Sequence, residues 1–87
     1  MISKDDILGL CDLDPAEIEA IAEHEHIPEV AAAALGDYLL HQAHGAEVVR
    51  DMIVDDIRAA ARTGDTAHAA TLAMALRHFL SLHPDIV

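Results

Sequence analysis

Apolar positions along the chain recur at the three- and four-residue spacing of α-helices, and no stretch alternates as a half-buried strand would. Prolines, glycines and capping residues divide this pattern into five helices. Ser3 with Asp6 three residues on opens a short first helix that runs to about Cys11. Asp14-Pro15-Ala16-Glu17 puts Asp at the N-cap, Pro in the first helical position and Glu two residues further in, which predicts a second helix to about His26. Pro28 predicts the start of a third helix that reaches His44, with Gly45 as the residue that ends it. A fourth helix is predicted over 46–62 and stopped at Gly64; a fifth, capped by Asp65 or Thr66, runs to about Leu82, where Pro84 forbids continuation. The connections are short, so neighbouring helices are expected to be antiparallel. The expected fold is all-α: an antiparallel four-helix bundle with a short additional N-terminal helix, residues 1–87 forming one domain.

Turning each helix by about 100° per residue gives its core stripe. The stripes are Ile18, Ile21 and Ala22 on the second helix, and Ala31, Leu35, Tyr38 and Leu39 on the third. They continue with Val49, Met52, Ile53, Ile57 and Ala60 on the fourth, and Leu72, Ala75, Leu76, Phe79 and Leu82 on the fifth. Polar residues interrupt them. Glu25 continues the second helix's stripe, Asp56 lies inside the fourth's, and His68 opens the fifth's. With antiparallel neighbours these three fall at one end of the bundle, together with His26 and Glu29 beside the Pro28 turn. Glu23 and His24 are expected to face water.

Glu25, His26, Glu29, Asp56 and His68 therefore form a candidate metal set. Two imidazoles with up to three carboxylates suit zinc, iron or manganese better than calcium. A buried carboxylate also costs several kcal/mol unless it is paired or bound to a cation, at order of magnitude. The structural alternative is that Asp56 pairs with His68 or caps a helix end while Glu25 and His26 stay solvated. Glu23 and His26 have the Glu-x-x-His spacing by which ferritin-like carboxylate proteins set two ligands on one helical face. That family uses two such pairs and two further glutamates; one pair would need a homodimer to complete it.

Asp37, His41 and His44 make a second stripe at i, i+4 and i+7, either a further metal-binding face or a solvated one. The helix that carries them is apolar on nearly every side, which marks it as the most buried helix or as part of a homodimer interface.

Charge narrows the partners. Sixteen acids against five bases give a net charge of −11, which repels a phosphate backbone and disfavours an anionic membrane surface. No apolar run approaches the roughly 20 residues of a membrane span. MISKDDILGL carries acids where a secretory signal needs an apolar run, so a cytoplasmic protein is expected. The single cysteine, Cys11, allows no internal disulfide. No phosphate loop, nucleophile elbow or dinucleotide fingerprint is present. The expected function is a non-enzymatic protein-interaction module that self-associates, with divalent transition-metal binding as the alternative. The seven histidines would give such a module a pH response between about pH 5 and 8.

Overall fold

A computed structural model describes residues 13–86 of the chain; the helix expected over residues 3–11 lies outside them. The described residues form four α-helices that pack against one another, with no strand among them. In chain order these are α1 (Pro15–Glu25), α2 (Glu29–Leu40), α3 (Gly45–Arg62) and α4 (Thr66–Leu82), followed by a 3-10 turn at Pro84–Ile86. None is long and apolar enough to cross a membrane. α1 and α3 each touch all three other helices, while α2 and α4 scarcely meet.

Helix starts follow local chemistry. At the head of α1, Glu17 reaches back and accepts the Asp14 N–H at 3.2 Å, and Pro15 occupies a position whose N–H would have no helical partner. Leu13 and Ile18 stand at the two positions of a hydrophobic staple, and both lie in the core. At the head of α4 the Asp65 side chain accepts the His68 N–H at 3.1 Å.

One connected core draws on all four helices. Ile18, Ile21, Val49, Ile53 and Phe79 are fully buried at its centre. The stripe expected on α3 is observed closely: Val49, Met52, Ile53 and Ala60 are buried, Ile57 is half-buried, and Asp56 sits among them. On α4, Leu72, Ala75 and Phe79 are inside, but Leu82 is exposed beyond the end of the core.

α2 departs from expectation in two ways. Its buried residues are Ala32, Ala33 and Gly36, whereas Ala31 and Tyr38, expected inside, are exposed. A helix that is apolar all round does not fix its own rotation, so tertiary packing decides it. Here close approach decides: a Cβ on Gly36 would collide with the Leu13 side chain and stand 3.1 Å from Ile21 Cδ1.

The second departure is length. α2 ends at Leu40, and residues 41–44 make a tight turn before α3 begins at Gly45. Gly45 is therefore the first residue of α3 and not a left-handed terminator; His44 takes the left-handed conformation, at φ 63°. Gly45 is demanded by space, because a Cβ there would collide with the Leu39 carbonyl.

The two glycines make opposite demands. At Gly36 the obstacle is a flexible side-chain tip, and alanine gains about 1 kcal/mol of helix propensity, so Gly36→Ala is expected to be near neutral. At Gly45 the obstacle is backbone, and Gly45→Ala is expected to lose about 1–3 kcal/mol or more, as overpacking does. Chemical denaturation of the two variants checks this; an unchanged midpoint for Gly45→Ala would contradict the turn as described.

Candidate functional site

Two histidine–carboxylate groups join α1 to α4, one near each end of α1. The first uses Glu17, a glutamate with no exposed surface. One of its oxygens caps Asp14, and the other accepts a 2.8 Å bond from His78 Nδ1. Both carboxylate oxygens thus have donors, which is the condition under which a buried carboxylate is tolerated. This bond raises the His78 pKa, aided by the Glu17 charge. Asp14, Glu17 and His78 offer donor atoms within 4.8 Å of one another, the one group of three or more among the described residues that does so. Beside it lies an open depression of about 360 Å³ lined by Asp14, Ala16, Thr71, Met74, Ala75 and His78.

The second group lies where α1 ends and α4 begins. His68 Nε2 stands 2.8 and 2.9 Å from the two Glu23 oxygens, and this bond raises the His68 pKa. His24 Nε2 lies 3.3 Å from Asp55 Oδ2 on α3. Next to Asp55, Asp56 is buried, and its Oδ2 has no hydrogen-bond partner; His24 Nδ1 is likewise buried without one. Burial, reinforced by the Glu23 charge, raises the Asp56 pKa from 3.8 to about 6.

The residues expected to gather at this end are only partly together. Asp56 and His68 are there, but the glutamate that bonds His68 is Glu23 and not Glu25. Glu25 follows the stripe by angle but sits on the last turn of α1, past the core, with its Oε2 3.5 Å from His24 Nδ1. His26 is the C-cap of α1 in left-handed geometry, φ 56°, so Glu23 and His26 do not share a helical face. Glu29 is in the first turn of α2. These five residues do not converge on one point. Nor do Asp37, His41 and His44, because α2 stops before the histidines: His41 Nδ1 bonds the Asp37 carbonyl at 2.7 Å, and His44 Nδ1 lies 3.3 Å from Glu47.

Glu17, His24 and His78 are not among the residues the sequence singles out as ligands, and Glu23, singled out with His26, pairs instead with His68. The missing signal is that α1 is buried over a wide arc: Glu17, Ala20 and His24 share a stripe beside Ile18 and Ile21, as expected of a helix with three neighbours. Comparison with models of known protein families, with curated proteins and with solved structures finds no match.

The three raised pKa values act in the same direction. The folded protein holds the Asp56 proton more tightly than the unfolded chain, so stability present below pH 3.8 is lost as the pH rises through about 6. A shift of that size corresponds to roughly 3 kcal/mol. The contributions of His68 and His78 are complete below 6.5 and fall as the pH passes their raised folded values. Stability is therefore expected to decline from about pH 5 to 8, and Asp56→Asn is expected to stabilise the protein at the upper end while giving little at pH 4. Urea midpoints across that range test both statements; a wild-type midpoint that rises with pH would contradict them.

Proposed function

We propose that the chain is a small acidic interaction module of the cytoplasm that acts without catalysis, and that its first partner is a second copy of itself. In this reading the four helices form an antiparallel bundle, and α2 presents the contact surface. The supporting observation is the outward face of α2. Val30, Ala31, Ala34 and Tyr38 are exposed along it, and Tyr38 leaves 60% of its surface uncovered.

That face is self-complementary. In an antiparallel pairing of two α2 helices about a two-fold axis at Ala34, residue 34 + k meets residue 34 − k. Tyr38 then lies across from the partner's Val30, and Asp37 across from the partner's Ala31. No carboxylate opposes another, and the small side chains of Ala31 and Ala34 allow the helices close approach. One helical face is a small interface, which places the dimer among weak, concentration-dependent associations. The charge of −11 on each copy opposes it, so salt and histidine protonation should favour it.

Sedimentation velocity over a micromolar to millimolar series is expected to show a monomer–dimer equilibrium that strengthens with salt and between pH 8 and 6. Tyr38→Glu sets a charge at the apolar contact and is expected to leave only monomer without loss of fold. A wild-type chain that stays monomeric throughout, or a dimer unaffected by Tyr38→Glu, would overturn the reading.

A further inference from the structure

Glu17 is a carboxylate with no exposed surface, and a second helix reaches it. Its Oε2 accepts from His78 Nδ1 at 2.8 Å, and its Oε1 is fixed by the Asp14 N–H. Among the described residues no lysine or arginine pairs with Asp14 or Glu17. The one ion-pair partner of Glu17 there is an imidazole, which is a cation only when protonated. A buried carboxylate left without a cation is costly.

The geometry points to a binding site for one divalent transition-metal ion, held by Glu17 Oε2, His78 Nδ1 and an Asp14 carboxylate oxygen. Three observations carry it. The three donors lie within 4.8 Å of one another. Ligands of a single ion stand roughly 3–4 Å apart at bond lengths near 2.1 Å, and Asp14 and His78 reach solvent and can make up the difference. The central ligand is held in advance: burial and the bond from the Asp14 N–H fix the Glu17 carboxylate, as hydrogen bonds fix ligating carboxylates in metal sites. The site is also open. Asp14 and His78 line the depression of about 360 Å³, which gives an ion a way in and leaves its remaining positions to water. An imidazole beside two carboxylates suits zinc, manganese or iron(II) better than calcium or magnesium.

Without an ion, a proton shared by Glu17 and His78 ties α1 to α4. The ion takes that proton's place between the same two atoms, so the tie is kept and Asp14 joins it. Asp56 Oδ2 and His24 Nδ1, the unmet polar atoms at the other end of α1, belong to no converging group of donors among the described residues. α2 scarcely meets α4, so metal binding is read separately from self-association.

The experiment is titration of chelator-treated, full-length protein near neutral pH. Zn²⁺ and Co²⁺ are read by thermal shift and by the visible absorption of bound Co²⁺, and Mn²⁺ by the broadening of amide NMR signals. One equivalent is expected to raise the Tm and to produce a Co²⁺ band. Mn²⁺ is expected to broaden first the amides around Asp14, Glu17 and His78. His78→Gln should abolish the shift and the band. Asp14→Asn, which keeps a good N-cap residue, should weaken binding by roughly 10-fold or more, since loss of even an outer supporting group costs that much. His68→Gln, at the other tie between α1 and α4, should leave the signals intact, which separates a lost ligand from loosened helices. Absence of a shift and of a band overturns the proposal. So does a signal that survives His78→Gln, or one that His68→Gln removes. Broadening centred on His24 and Asp55, or on His41 and His44, overturns it as well, with no variant needed.

Discussion

The core is built with almost no rings, and the closeness of the helices follows from that. Phe79 is the one large aromatic side chain inside; Tyr38, the only other Phe, Tyr or Trp of the chain, faces out. Aliphatic and small residues fill so little volume that the elements must approach nearly to backbone contact to exclude voids. α2 shows the consequence. Ala32, Ala33 and Gly36 lie against the neighbouring helices, and Gly45 starts α3 directly on the last turn of α2. Because the small residues are used on the inside, Val30 and Tyr38 are left on the outside. The apolar outer face and the tight inner one are two results of one packing constraint.

Polar groups then settle where the core ends. Glu17 with His78 and Glu23 with His68 tie α1 to α4 at two heights, and His24 with Asp55 ties α1 to α3. Residues 17 and 23 of α1 pair with 78 and 68 of α4, so these two helices run in opposite directions. The two clusters differ in completeness. Both Glu17 oxygens have donors, which makes that pair a structural tether. Around Asp56 one oxygen has none. Local electrostatics favour the protonated form of Asp56, His68 and His78 alike, so structure and net charge both favour the mildly acidic side of neutrality.

Much of this was legible in the chain. Where a helix has one clear apolar stripe, as α3 does, the sequence placed Asp56 inside the core correctly. Local capping chemistry likewise located α1 and α4, through Asp14-Pro15 and Asp65. The failures share a cause. An all-round apolar helix such as α2 carries no rotational information, and α1, with three neighbours, buries more than one stripe. For that reason Glu25 was read as the inward glutamate when Glu17 is the buried one and Glu23 the one that bonds His68. Gly45 was misread because a glycine beside a helix end serves equally to adopt a left-handed turn or to admit a close backbone, and only the fold distinguishes them.

The proposed self-association puts the contact on the outward face of α2. Amide chemical shifts followed residue by residue over a dilution series test it most directly. The amides of Val30, Ala31, Ala34 and Tyr38 are expected to move together with concentration while those around Met74 and His78 stay fixed. Shifts that do not change, or that change around Met74 and His78 and not along α2, would contradict it.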